Sequence, residues 1–366
     1  MYKILSVVGA RPNFIKVAPI HRALKAYDDI EHLICHTGQH FDSRMSDVFF
    51  NELGLPEPDY NLEISGGSHA VQTARIMTAF EQVVEQVKPD IVLVVGDVNS
   101  TLACSLVAAK LQIKVVHVEA GLRSFDRSMP EEINRMVTDV ISEMLFVTEE
   151  SGKVNLLKEG KDKDKIFFTG NVMIDSLVNL KPKIDASGIH EELNLEENKY
   201  VLCTFHRPAN VDSKTFLIEL CEVINAISEK CKVVFPVHPR TRHNLENWEL
   251  TKSFNKEVLL TEPIGYIDFL SLASKAKLIV TDSGGIQEET TFMGVQCLTV
   301  RDNTERPVTV DMGTNQLLGR DLSLVRKTAL EVLDGKIKSG KIPPLWDGKA
   351  AERIASILHK DLISGH

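Results

Sequence analysis

Short apolar runs alternate with longer amphipathic segments along almost the whole chain, and this alternation limits the fold more than any other feature. In the first half, strands are expected at 3–8, 32–36, 91–95, 114–118, 144–148 and 166–168. Helical patterns lie between them, near 14–27, 42–53, 69–87, 99–111, 131–142 and 150–158. In the second half, strands at 200–205, 232–236, 257–260, 278–281 and 296–300 alternate with helices near 213–229, 266–275 and 285–293. Alternating β and α elements build parallel sheets covered by helices. The strand runs are nearly continuous Val, Ile and Leu, as sheets buried on both faces require. A chain of 366 residues exceeds one typical domain. The expected architecture is therefore α/β, with two Rossmann-like doubly wound domains and an interdomain cleft. The domains are placed at 1–170 and 171–346, with the most polar joint, Lys181 to Asn198, near their boundary. A last helix, near 348–363 within the segment 347–366, follows the break at Pro343-Pro344-Leu345-Trp346.

Composition removes several classes of function. The formal charge of −9 argues against general binding to nucleic acid or acidic membranes. An anionic ligand must then be held by a local cluster of basic groups. No apolar stretch reaches 18 residues, and the first strand turns too soon for a signal peptide, so a cytoplasmic protein without membrane insertion is expected. The six cysteines contain no Cys-x-x-Cys pair and mostly lie in apolar runs, as reduced buried thiols do. His36 and His40 have no cysteine or carboxylate at a suitable spacing, and no metal site is read there.

In open parallel sheets, ligands bind beyond the carboxyl ends of the strands. Those ends here carry Gly9-Ala10-Arg11 with Lys16 following, Gly96-Asp97, Glu119, His206-Arg207, His238-Pro239-Arg240, Asp282-Ser283-Gly284-Gly285, and Arg301 to Arg306. Ionisable groups recur at nearly every end. The run Leu278 to Glu289 is the most specific: a buried strand, a Gly-Gly turn, then a helix. Such a junction leaves backbone N–H groups unpaired at the positive end of the helix dipole, which suits a phosphate. Glu289 stands four residues after Gly285, on the same helical face and within reach of a ribose hydroxyl.

Each residue also has a plain structural reading. Asp97 and Asp282 could cap helices, Lys16 could be a solvated lysine, and His117 fits a hydrogen-bonded core histidine. Glu131 and Glu132 follow Pro130 at a helix start, where acidic side chains favour the dipole, and Arg135 could form an i,i+4 pair with Glu131. Glu119 has no helix start directly after it, so capping explains it less well.

Taken together these motifs resemble the non-hydrolysing UDP-N-acetylglucosamine 2-epimerases from end to end. The resemblance rests on Gly9-Ala10-Arg11-Pro12 with Ile15-Lys16, Gly96-Asp97, His117-Val118-Glu119-Ala120-Gly121-Leu122-Arg123 and Pro130-Glu131-Glu132 with Asn134-Arg135. It continues with His206-Arg207, Pro236-Val237-His238, Thr281 to Glu289, and Arg301-Asp302 with Thr304-Glu305-Arg306-Pro307, all in family order. It implies a glycosyltransferase-B-type architecture whose C-terminal helix returns to the first domain. It also implies an isomerase that eliminates UDP, forms a 2-acetamidoglucal and re-adds UDP, without a metal or other cofactor. By resemblance, Asp97, Glu119, Glu131, Lys16 and His206 are catalytic. Arg11, Arg135, His238, Ser283, Gly284, Gly285, Glu289 and Arg306 bind the UDP-sugar. A homodimer supplying a cell-surface polysaccharide is the implied setting.

Departures from the family pattern bear on the substrate. Thr37-Gly38-Gln39-His40 leads into Phe41-Asp42-Ser43-Arg44-Met45-Ser46, where many members carry a Glu-Met pair and an allosteric site. This version resembles a branch that includes epimerases of 2,3-diacetamido-glucuronic acid or 6-deoxy-talosamine sugars. The hydrolysing relatives have a different first loop. A glycosyltransferase of the same architecture would share the diphosphate seat but would not need Asp97, Glu119 and Glu131 together. A non-catalytic sensor would need no lysine–carboxylate cluster.

Overall fold

The computed structural model describes residues 1–38, 50 and 52–364, in two compact units: Met1–Asn179 with Pro344–His366, and Leu180–Pro343. The expected helix over 42–53 falls mostly outside the described residues, as does the loop from Gln39 to Ser46.

The first unit holds a parallel sheet of β1 (Tyr2–Val8), β2 (Ile30–His36), β3 (Tyr60–Asn61), β4 (Ile91–Val95), β5 (Lys114–Val118), β6 (Met144–Val147) and β7 (Ile166–Phe168). Their order is β3-β2-β1-β4-β5-β6-β7. β1 pairs on one side with β2, Leu5 opposite Leu33, and on the other with β4, Leu5 opposite Val92. The chain thus winds outward to β3, then restarts on the far side of β1. Where the order reverses, successive crossovers leave on opposite faces and a crevice opens at the carboxyl ends of β1 and β4.

The second unit repeats the plan with β8 (Tyr200–Thr204), β9 (Lys232–Pro236), β10 (Val258–Thr261), β11 (Leu278–Thr281), β12 (Cys297–Thr299) and β13 (Asn315–Leu317). The order is β10-β9-β8-β11-β12-β13, so the reversal falls between β8 and β11. Both units are α/β and Rossmann-like.

Alternate residues of each strand feed opposite faces, and both faces are covered. Val201, Cys203, Val233, Phe235, Leu278 and Val280 pack with Phe216, Leu220 and Ile224. Leu202, Val234 and Ile279 pack on the other face with Leu272 and Ile286. In the first unit Leu5, Val7, Val92 and Val94 bury against Ile76, Phe80 and Val107. This double covering explains why the strands read as unbroken apolar runs.

The structure adds elements not expected from the sequence. β3 is two residues long, and β13 is the polar run Asn-Gln-Leu. Helix Pro239–Asn247 buries Thr241 and Leu245 and is otherwise polar, so it carries little periodic signal. Helix Leu322–Leu333 buries Leu322, Val325, Ala329 and Val332, a helical spacing that was there to be read. Helix Val172–Asp185 contains Pro182 and runs into the stretch taken as a polar joint. Within that stretch a further short helix, Ile189–Glu192, inserts Ile189 into the second unit's core.

The C-terminal helix, Ala350–Ser364, belongs to the first unit. The Asp175 carboxylate accepts from Ala350 N (3.2 Å) and Ala351 N (2.7 Å), capping its start. Burial pushes the Asp175 carboxyl up to about 6, against those two bonds. Asp29 holds His359 at 3.0 Å and Lys114 holds Asp361 at 2.6 Å. Among the described residues no helix is long and apolar enough to cross a membrane.

Trp346 seals this join. It is 1% exposed and donates from Nε1 to the Thr148 carbonyl at 3.0 Å. Trp346→Ala is expected to lower stability by about 3–5 kcal/mol, read by urea unfolding followed by circular dichroism. An unchanged midpoint would show that the C-terminal segment adds nothing to the first unit.

Candidate active site

The first unit's crevice is built on the start of helix Arg11–Leu24. Asn13 closes the turn into that helix. Its Oδ1 accepts from Gly9 N (3.1 Å) and Ala10 N (2.9 Å), and its Nδ2 donates to the Val95 carbonyl (3.0 Å). The turn after β1 is thereby fastened to the end of β4. One helical turn later Lys16, 6% exposed, forms an ion pair with Glu119, 3% exposed. Glu119 follows β5 directly with φ +71°, a left-handed backbone that glutamate rarely adopts. Strain of this kind persists only where the surroundings enforce it, and it gathers at functional sites. Gly96 packs closely over the pair. A Cβ there would lie 3.2 Å from Lys16 Nζ and 3.3 Å from Glu119 Oε2, and Gly96 itself has φ +67°. Lys16 is thus not a solvated lysine.

Behind this pair stands a fully buried polar chain. His117 Nε2 donates to the Gly96 carbonyl (2.8 Å), and Nδ1 meets Asp139 Oδ1 (2.7 Å). Asp139 also accepts from Gly121 N at 3.0 Å and pairs with Arg123 at 2.7 Å. Burial opposes its charge, but His117 and Arg123 hold the Asp139 carboxyl below its ordinary range. His117 is a core histidine, as expected, and it props the floor of the crevice.

Asp97 does not cap the next helix, Asn99–Lys110, whose N-cap is Val98. Arg135 grips its Oδ2 instead, from Nε (3.0 Å) and Nη2 (2.9 Å), while Asn134 Nδ2 holds the Asp97 carbonyl (2.9 Å). Arg135 Nη1 pairs with Glu132, at i,i+3, rather than with Glu131. Glu132 in turn accepts from Ser124 N and Phe125 N, both at 2.9 Å. Glu131 is half-buried on the same helix, Pro130–Ile141, and Arg11 lies exposed at the start of helix Arg11–Leu24.

In the second unit Asp282 turns back from the helix and receives His206 N (3.1 Å), Arg207 N (3.0 Å) and Asn210 Nδ2 (3.1 Å). His206 Nδ1 lies 3.2 Å from Asp282 Oδ1. Partial burial lowers the His206 imidazole, with Arg207 and Arg301 adding to the effect and Asp282 opposing it. The His238 ring centre stands 5.8 Å from that of His206, and His238 Nδ1 accepts from Arg240 N (3.2 Å) to cap Pro239–Asn247.

Helix Gly284–Met293 begins after Ser283, whose hydroxyl makes no capping bond. The N–H groups of its first turn have no intrahelical acceptor. Gly284 is packed tightly. A Cβ there would meet Glu305 Oε1 at 2.7 Å, Arg306 Nη1 at 3.6 Å and Arg301 Nη1 at 3.7 Å. Arg306 pairs with Glu288 and Glu305, each at 2.7 Å, and Arg301 with Glu305 at 2.8 Å. Arg301 Nη1 is buried without a hydrogen-bond partner among the described residues. The helix start and Arg301 together suit an anion. Glu289, one turn on, accepts from the Tyr266 hydroxyl (2.8 Å), and burial pushes its carboxyl up to about 7. A cavity of about 210 Å³ opens beside these groups, among Phe205, His206, Ile264, Phe269 and Ser283. A larger one, about 660 Å³, lies at the amino edge of the same sheet among Lys199, Lys230, Lys232 and Lys277. The smaller cavity is at the reversal point, where this fold binds ligands.

The fold thus gathers Lys16, Glu119, Asp97 and Arg135 in one unit, and His206, His238, Ser283, Gly284, Gly285, Glu289 and Arg306 in the other. Among the supporting residues, Asn13 and Asp139 were not singled out from sequence, while Glu132, Glu288 and Arg301 were read there only by position, without their partners. For Glu132 the available signal was Arg135 three residues on, the spacing of a helical ion pair.

Residues 22–359 match the family model described as UDP-N-acetylglucosamine 2-epimerase. The UDP-N-acetylglucosamine 2-epimerase of Methanocaldococcus jannaschii is 45% identical over 97% of this chain and 98% of its own. The UDP-2,3-diacetamido-2,3-dideoxy-D-glucuronate 2-epimerase of Pseudomonas aeruginosa is 39% identical over 98% and 99%. The M. jannaschii enzyme solved in complex with UDP-GlcNAc and UDP superposes with a TM-score of 0.90 at 44% identity, over 98% of this chain and 99% of that one.

Gly96→Ala is expected to destabilise the first unit by about 1–2 kcal/mol through its left-handed backbone, plus a further cost where the new Cβ crowds Lys16 and Glu119. Urea unfolding checks this. An unchanged midpoint would mean that the pair moves aside freely.

Proposed function

The chain belongs to the UDP-N-acetylglucosamine 2-epimerase family, and on that premise we propose that it inverts carbon 2 of a UDP-linked 2-acetamido sugar through elimination and re-addition of UDP. The carbon 2 proton is weakly acidic because no carbonyl adjoins it. Removing it while the carbon 1–oxygen bond breaks expels UDP and leaves a 2-acetamidoglucal. A proton then arrives at carbon 2 from the opposite face, and a UDP oxygen re-forms the bond to carbon 1. The reaction is redox-neutral.

That sequence asks for acid–base carboxylates on the sugar and cations on the departing diphosphate. Asp97 and Glu119 are proposed for the two proton transfers, with Lys16 setting the charge at Glu119 and Glu131 as a third essential carboxylate. Arg11, His206, Arg306 and the amides of 283–285 take the diphosphate, His238 supports His206, and Glu289 takes the ribose. The observation that carries the reading is the buried Lys16–Glu119 pair under Gly96, at the strand ends where Asp97 also stands. A glycosyltransferase or a sensor of UDP-sugars would use the second unit's seat and would have no need of that pair. UDP-N-acetylglucosamine is the first substrate to test. The Pseudomonas relative supports a second reading, in which the sugar carries a further acetamido group at carbon 3 and a carboxylate at carbon 6. The expected setting is a homodimer in the cytoplasm serving polysaccharide synthesis.

Proton NMR in deuterated water tests the proposal with both UDP-sugars. Wild type is expected to place deuterium at carbon 2 of one of them. Asp97→Asn is expected to bind UDP within a few-fold of wild type and to lose exchange by roughly 100-fold or more. Wild-type exchange in that variant would sink the assignment.

The Glu289 carboxyl, held near 7 by burial, adds a pH dependence. Ribose hydroxyls donate to its ionised form, so UDP binding should be full above that value and weaken as pH falls through it. Between pH 8 and pH 6 the loss should be roughly tenfold, beyond any contribution from the phosphate itself. Calorimetry with wild type and Glu289→Gln decides the point: the variant should lack this step, and identical slopes would remove Glu289 from the ribose site.

A further inference from the structure

The resemblance to the family places Arg135 on the substrate. The structure commits its guanidinium elsewhere, to two carboxylates of the protein. Arg135 is 3% exposed and Glu132 is 1% exposed. Nε and Nη2 converge on one oxygen of Asp97, at 3.0 Å and 2.9 Å, which fixes the rotation of that carboxylate. The preceding residue, Asn134, holds the Asp97 backbone carbonyl at 2.9 Å, so one helix grips both the main chain and the side chain of Asp97. The third guanidinium nitrogen, Nη1, is held by Glu132. Glu132 is itself fixed by Ser124 N (2.9 Å), Ser124 Oγ (3.0 Å) and Phe125 N (2.9 Å). Phe125 lies in the left-handed region with φ +59° and is 78% exposed. The turn that presents it is therefore tied through Glu132 and Arg135 to Asp97.

We propose that Arg135 is a positioning residue for Asp97, locked in place by Glu132, and not a contact to the substrate. The inference rests on the reading of Asp97 as a proton-transfer group at carbon 2. A planar fork gripping a carboxylate oxygen from two nitrogens defines its direction, whereas a lysine ammonium would act as a single point charge. A carboxylate misaimed by an ångström loses its alignment with the carbon 2 proton, and losses of order 100-fold in rate follow from errors of that size. Substrate affinity should be little affected, because the diphosphate and nucleoside are held by other groups.

The test uses the full chain and whichever UDP-sugar the wild type exchanges at carbon 2. Arg135→Lys and Arg135→Ala are each expected to lower kcat roughly 100-fold, with KM and UDP affinity within about threefold of wild type. Millimolar guanidinium should restore part of the Arg135→Ala rate by refilling the fork site, and should do nothing for Asp97→Asn. Glu132→Gln keeps an acceptor toward Arg135 and should fall between Arg135→Lys and wild type. If Arg135→Ala fails to fold, leaving Glu132 buried without its cation, Arg135→Lys carries the comparison. A rise in KM or a loss of UDP binding with kcat retained would return Arg135 to the substrate and overturn the proposal. Unchanged kinetics in Arg135→Lys would overturn it as well. Wild-type exchange by Asp97→Asn would instead remove the functional reading beneath it, which separates the two failures.

Discussion

A carboxylate withdrawn from water must be answered by a cation or by several hydrogen bonds, and the strand ends at both sheet reversals follow that requirement closely. Glu119 is answered by Lys16, Asp97 and Glu132 by Arg135, and Asp139 by His117 and Arg123. Glu288 and Glu305 are answered by Arg306, and Asp282 by a ring of N–H donors. Such pairs are weak evidence for stability, since well-packed apolar residues often do as well. Their concentration at one rim of each sheet, away from the Val, Ile and Leu core, indicates a role in holding charge at fixed positions.

The two units divide that charge differently. The first sets Glu119 against Lys16 and both Asp97 and Glu132 against Arg135, and it packs glycine closely over the first pair: a Cβ at Gly96 would press on Lys16 and Glu119. The second offers the first turn of a helix and two buried arginines, one of which leaves Nη1 without a partner among the described residues. Carboxylates suit proton transfer, and a helix start with arginines suits a diphosphate.

Much of this was legible in the sequence. Parallel strands covered on both faces must be apolar throughout, so Ile91–Val95 and Leu278–Thr281 announced themselves, and the residues after them followed by position. Elements lacking such a signal were missed. β3 is too short, β13 too polar, and Pro239–Asn247 has too few buried positions for a period to show. The site was legible as a set of strand-end residues but not as a set of partners. Lys16 and Glu119 are 103 positions apart, and no local rule joins them. Asp97 and Asp282 fitted helix caps by sequence. The structure gives both other partners, because Arg135 and the His206 loop reach them from neighbouring elements.

This separation between chemistry and its supports also limits what the site says about the sugar. Inversion at carbon 2 makes the same demand whatever stands at carbons 3 and 6, so the roles proposed for Asp97, Glu119 and Lys16 would serve a plain acetamido sugar and a diacetamido uronate alike. The relatives at 45% and 39% identity act, by name, on one of each. Discrimination must come from groups that the carbon 2 chemistry leaves untouched. A carboxylate at carbon 6 needs a cation or several N–H donors, and an extra acetamido group needs an apolar wall with one polar contact.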